Sequence, residues 1–99
     1  MKVPPAPGGL SPDSKKLWVK LLQEMGEWED SQLWIVRTGL EQWDLMQQAR
    51  AQVKRDKLMV ADRFGQLKPH PLTSVIRDCA AGVRQTYKLL GLDLVDDSE

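Results

Sequence analysis

The sequence predicts an all-α protein: three main helices with a long central one, and a short extended or β-hairpin insert before the last. Residues 30–57 hold no Pro and one Gly, and place Leu33, Val36, Leu40 and Trp43 at helical spacings. Residues 11–25 and 71–90 repeat apolar positions every three or four residues, with Pro near each start and Gly just past each end. Residues 57–69 have no helical period. At 99 residues the chain makes one small domain, whose limited core favours burying more surface by self-association.

Residues 1–10 contain three Pro and two Gly and read as a flexible lead-in. A single helical domain spans 11–92, and an acidic tail covers 93–99. Ser11 suits the first N-cap, Pro12 the first helical position and Asp13 the positive end of the helix dipole. Leu17, Trp18, Leu21, Leu22 and Met25 form the buried face, away from Lys15, Lys16 and Lys20, and Gly26 ends the helix. The short connection 27–29 makes the second helix antiparallel to the first, with Asp30 or Ser31 as its N-cap. Its stripe drifts to Met46, Ala49 and Val53, so its packing partner changes along its length. Gly39 marks a close helix contact or a bend. Leu33, Trp34, Ile35 and Val36 are consecutive and apolar, which calls for cover on more than one side, such as another subunit would give.

In 57–69, two short apolar runs flank Asp62-Arg63-Phe64-Gly65, as in a hairpin with Gly65 at its tight position; an irregular loop is the alternative. Pro71 then opens the third helix, with Leu72, Ile76, Cys79, Val83, Tyr87 and Leu90 on one face and Gly91 and Leu92 at its end.

The single Cys excludes an intramolecular disulfide and fits a reducing compartment, and no apolar run approaches the roughly 20 residues of a membrane span. With no signal-peptide pattern, a cytosolic protein without a membrane partner is expected. Catalysis finds no support. His70, the only histidine, lies between two prolines and reads as a turn or cap residue, and Cys79 as a core residue. There is no phosphate loop, no clustered metal ligands and no paired carboxylates, so no catalytic residue, metal or cofactor is assigned.

Formal net charge is zero, but the charge is segregated. Residues 50–70 hold six Lys/Arg against two Asp, and 93–99 hold four acids and no base. Arg50, Lys54 and Lys57 share one face of the long helix beside Arg55, Arg63 and Lys68 flank the hairpin tip, and Arg77, Arg84 and Lys88 share a face of the last helix. Solvation explains any one such stripe; three on neighbouring elements favour phosphate contacts. Trp18 and Trp43 fall on core stripes, whereas Trp28 and Trp34 do not. Trp34 and Leu45, nearly on one face, are the candidate subunit contact together with Leu33 and Ile35.

The order of parts resembles the small terminase subunits of tailed bacteriophages. The resemblance rests on the Pro-rich lead-in ending in Leu10-Ser11, Ser14-Lys15-Lys16-Leu17-Trp18, Asp30 at the start of a long helix, Lys68-Pro69-His70-Pro71-Leu72, Ala80-Ala81-Gly82-Val83-Arg84, and Leu89-Leu90-Gly91-Leu92. It covers roughly residues 4–92. It implies a non-catalytic subunit in the cytoplasm of the bacterial host that binds double-stranded phage DNA, forms a ring-like homo-oligomer, and recruits or regulates the large terminase subunit with its ATPase and nuclease. Trp18 and Pro71 then correspond to structural positions, and Arg84 to a basic position of the last helix. After Leu92, where a Pro and basic residues are common in the family, this chain has Asp93-Leu94-Val95-Asp96-Asp97, which suits a protein partner better than DNA. A helical protein–protein adaptor or capsid accessory without DNA binding is the alternative. A helix-turn-helix repressor fits less well, because the long helix lacks the short turn and compact second helix of that motif.

Overall fold

The computed structural model describes residues 3–91. Its elements are α1 (Pro12–Met25), α2 (Asp30–Asp56), β1 (Met59–Ala61), β2 (Leu67–Pro69) and α3 (Leu72–Leu89), so the chain is predominantly α-helical with one small hairpin. The expectations for Leu92 and the acidic tail fall outside the described residues.

Both ends of α1 use the caps expected for it. Ser11 is extended, and its Oγ accepts the Ser14 N–H at 3.1 Å. Gly26 adopts φ 74° and donates its N–H to the Leu22 carbonyl at 3.1 Å. The start of α1 is also tied to the middle of α2. Asp44 accepts the Ser11 N–H at 2.9 Å, the Ser11 hydroxyl at 2.7 Å and the Ser14 hydroxyl at 2.5 Å. Ser14 is fully buried, so without Asp44 its hydroxyl would be stranded.

Residues before α1 lie against the core instead of standing free. The Trp18 indole N–H donates to the Pro4 carbonyl at 2.9 Å, Leu10 is buried, and Val3 and Ala6 pack on the same cluster. A buried indole needs an acceptor for its N–H, and this lead-in supplies one.

The N-cap of α2 is Glu29 and neither of the expected residues, Asp30 and Ser31. Glu29 donates its backbone N–H to Gln32 Oε1 at 2.7 Å, the reciprocal half of a capping box, which leaves Asp30 in the first turn. Across 27 residues, about 40 Å, α2 changes partner as its stripe predicts. Val36 and Leu40 join Leu10, Trp18, Leu21, Leu22 and Leu90 in the main core, and Met46, Ala49 and Val53 are buried farther along.

Those farther residues are covered by α3, which runs antiparallel to α2. Gly39 meets Thr86, Gln42 meets Gly82, and Asp56 meets His70, so α3 retreats as α2 advances. In that register Met46 falls opposite Cys79, Ala49 opposite Ile76 and Val53 opposite Leu72. Gly39 marks a close contact. A Cβ there would lie 2.5 Å from Thr86 Cγ2, and one at Gly82 would overlap the Gln42 amide. The close approach also buries Thr86, whose hydroxyl donates to the Gly82 carbonyl at 3.0 Å, and leaves Tyr87 half-exposed at the edge of the expected apolar face.

The hairpin forms where the sequence suggested it, with Met59 paired to Pro69, Val60 to Lys68 and Ala61 to Leu67. Gly65 N–H donates to the Asp62 carbonyl at 3.0 Å and Gly65 takes φ 80°, a three-residue loop closed by a left-handed glycine. Asp62 Oδ1 holds the turn by accepting the N–H groups of Phe64 at 2.8 Å and Gln66 at 3.0 Å.

Burial tends to raise the Asp44 pKa, but the hydrogen bonds from Ser14 and Ser11 outweigh it and hold the carboxyl below its usual 3.8. A depressed carboxylate contributes stability that is present above the unfolded value and is lost as pH falls through the folded one. Asp44→Asn is therefore expected to cost about 1–2 kcal/mol at neutral pH, a fall of roughly 4–8 °C in Tm per kcal/mol. In thermal melts the gap between variant and parent should narrow as pH drops below about 4; a gap constant with pH would show that ionised Asp44 is not the stabilising form.

Candidate nucleic-acid interface

The end of α2, the hairpin and the start of α3 converge through one polar chain. The Arg55 guanidinium donates to Gln52 Oε1, and Gln52 Nε2 donates to Asp56 Oδ2 at 2.7 Å. The same oxygen lies 3.0 Å from His70 Nε2. His70 Nδ1 accepts the Leu72 N–H at 3.0 Å, so Nε2 carries the proton and donates it to Asp56. His70 also donates its backbone N–H to the Leu58 carbonyl at 2.8 Å, and its side chain is buried. The lone histidine is thus a cap and a tether, as its position between prolines suggested.

Both acids of this region are engaged by hydrogen bonds within the chain, although Asp56 keeps 42% of its side chain exposed. Asp56 is held below its usual pKa of 3.8 by the hydrogen bonds from Gln52 and His70, which outweigh its desolvation. Asp62 is lowered as well, by the Gln66 N–H above all, with Phe64 N–H and Lys68 adding to it against a partial burial that raises it. The cations point outward. Lys54, Arg55, Lys57 and Arg63 are all exposed, and Arg50 is exposed one turn earlier on α2. Lys68 is only partly neutralised: its Nζ lies 3.3 Å from Asp62 Oδ2 while 61% of its side chain stays exposed. The Arg63 guanidinium stacks 5.0 Å from the centroid of the Phe64 ring at the hairpin tip.

Not every predicted cation joins this group. Arg77 is exposed farther along α3, beside an equally exposed Asp78 at 3.7 Å. Arg84 and Lys88 are exposed near the opposite end of the α2–α3 pair. By the helix register Lys88 lies about 30 Å from Lys57 along α2. The nine predicted basic residues therefore form one dense cluster and one distant pair, with Arg77 between them.

The four residues assigned to a subunit contact also divide. Trp34 is 77% exposed and Leu45 49% exposed, whereas Leu33 and Ile35 are partly buried and pack against the chain's own core. Trp28, off the stripes in sequence, packs against that core too. Trp34 shares a shallow depression with Leu89 of α3, which is 61% exposed. Leu89 was missed because only the antiparallel register brings it beside Trp34. A second missed feature is the outer face of the hairpin. Met59, Ala61, Leu67 and Pro69 lie on one side by their pairing, and all four are exposed.

Among the described residues no helix is long and apolar enough to cross a membrane. No curated protein and no solved structure matches the chain. A family model described as phage terminase, small subunit, matches residues 9–99, nearly the whole length. Members of this family are generally the non-catalytic subunit and serve phage DNA packaging. With three helices, a basic hairpin end and a match across both, the chain belongs to the phage terminase small subunit family.

Proposed function

We propose that the protein is a non-catalytic terminase small subunit that binds double-stranded phage DNA through the hairpin end of α2 and recruits or regulates the large subunit. The observation that carries this is the group of exposed cations Arg50, Lys54, Arg55, Lys57, Arg63 and Lys68, among which the two acids, Asp56 and Asp62, are already engaged by hydrogen bonds within the chain. Such an array neutralises phosphates and positions a duplex with little base readout. Arg77 extends the surface along α3. Arg84 and Lys88, about 30 Å away by the same helix rise, serve a separate contact or none.

Backbone strain supports the same site. Lys57 is the non-glycine residue with positive φ among the described residues, at φ 74° and ψ 154°. Such a conformation costs about 1–3 kcal/mol and is characteristically kept where function needs it. Here it turns the chain from α2 into β1 and keeps a cation at the turn.

The oligomer is proposed to assemble through the exposed Trp34, its neighbour Leu89 and Leu45, with Leu33 and Ile35 supporting Trp34 from within the chain. An exposed Trp beside an exposed Leu is the composition of an interface anchor.

Replacing Arg50, Lys54 and Lys57 together by Ala should weaken DNA binding and flatten the dependence of log K on log salt by up to about 0.9 per lost phosphate contact. Mobility shifts with duplex DNA at several salt concentrations measure this, and an unchanged slope places the site elsewhere. The Arg84→Ala/Lys88→Ala pair should change that slope far less. Lys57→Gly should raise stability by about 1 kcal/mol by relieving strain while weakening DNA binding; a loss of stability would mean the turn is unstrained. Trp34→Glu should lower the particle mass measured by light scattering, and an unchanged mass removes Trp34 from the interface.

A further inference from the structure

Phosphate contacts leave one feature of the hairpin unused, an aromatic side chain held out at its tip. Phe64 is 74% exposed, yet the turn that carries it is well tied. Its N–H donates to Asp62 Oδ1 at 2.8 Å, and the Gln66 N–H donates to the same oxygen at 3.0 Å. The Asp62 N–H donates to the Gln66 carbonyl at 2.8 Å, and the Gly65 N–H to the Asp62 carbonyl at 3.0 Å. The Arg63 guanidinium stacks 5.0 Å from the ring centroid, so a cation accompanies the ring. The strand pair next to the tip, Ala61 and Leu67, is exposed as well. A scattered exposed Phe needs no explanation. This one is different in its setting, an apolar tip on a tied turn with exposed cations beside it and at its base.

The dimensions of the hairpin match one groove of a duplex. Each strand has three residues, about 10 Å of length, and paired strands lie about 4.8 Å apart. The major groove of B-DNA is about 12 Å wide and 8.5 Å deep and admits a two-stranded ribbon, whereas the minor groove is only about 6 Å wide. A ribbon of this length lets its tip reach the floor of the major groove while Lys54, Arg55 and Lys57, at its base, stay level with the phosphates. The floor presents hydrogen-bonding groups on every base pair and one apolar group, the C5-methyl of thymine. Phe64 has no polar side-chain atom, so the group it selects there is the methyl.

The geometry points to Phe64 as a specificity-determining residue that packs on thymine methyl groups in the major groove, with the hairpin as the inserted element. This rests on the proposal that the hairpin end binds double-stranded DNA, and adds a base preference to contacts that otherwise carry none. A–T-rich duplexes are then favoured over others of equal length and charge.

The full chain, titrated by fluorescence anisotropy with an alternating dA·dT duplex and with the same duplex carrying uracil in place of thymine, tests this. The two differ only in the methyl, and each methyl removed from water on binding should favour the thymine duplex roughly fourfold. Phe64→Ala should bring the ratio of the two affinities close to one, while leaving Tm and the salt slope unchanged because no phosphate contact is touched. Phe64→Leu should keep part of the preference. Equal affinity of the parent for the two duplexes overturns the inference, as does a preference that survives Phe64→Ala. A lower particle mass for Phe64→Ala in light scattering also overturns it, by assigning the tip to a subunit contact. If the parent binds neither duplex, the proposed DNA-binding function fails and takes the inference with it; salt-dependent binding without a thymine preference overturns the inference alone.

Discussion

The structure depends on how closely α2 and α3 approach each other. Gly39 and Gly82 lack the Cβ atoms that would strike Thr86 and Gln42, so the helices meet with little between them at one end of the pair. At the other end the Asp56–His70 contact fixes where α3 begins. A close contact at one end and a tether at the other set the register, and the register decides which surface residues become neighbours. Trp34 sits beside Leu89 for this reason, and Arg84 and Lys88 are carried away from the hairpin.

α1 is attached by different means. It buries Trp18, Leu21 and Leu22 against only the first half of α2, and its start is held by the Asp44 carboxylate. A single acid accepting from both Ser11 and Ser14 lets the same serine that caps α1 also orient it. The groove beside α1 reaches along α2 as far as Ala51, and the basic residues Lys54, Arg55 and Lys57 lie beyond it. The long helix thus divides into a half enclosed by its own chain and a half covered by α3 on one side and open to solvent on the other.

Much of this was legible because it is local. Ser11-Pro12 and Gly26 bracket α1 through caps that act within four residues, and Asp62 to Gly65 close the hairpin within one turn. The drift of the α2 stripe from Leu40 to Met46 announced its change of partner. Other features depend on contacts between distant positions and leave little local trace. Nothing in Pro4 marks it as the acceptor for Trp18, and nothing in Asp44 tells it apart from any acid on a helix surface. The Glu29 cap had a visible signal, since Gln32 follows three residues later, but the better capping residues Asp30 and Ser31 lie next to it. For the candidate site, the cations were visible from sequence and their grouping was not, because grouping follows from the register of two antiparallel helices.

The balanced charge of the chain is compatible with a cationic surface because balance is a sum and binding is local. Two acids lie among the six cations of 50–70, and both are occupied: Asp56 by Gln52 and His70, Asp62 by the turn it holds together and by Lys68. Each therefore works as a structural acceptor first, and only its remaining charge offsets the field outside. A sequence that sums to zero thus presents a basic hairpin end, because the two acids among its cations are engaged in a tether and a turn.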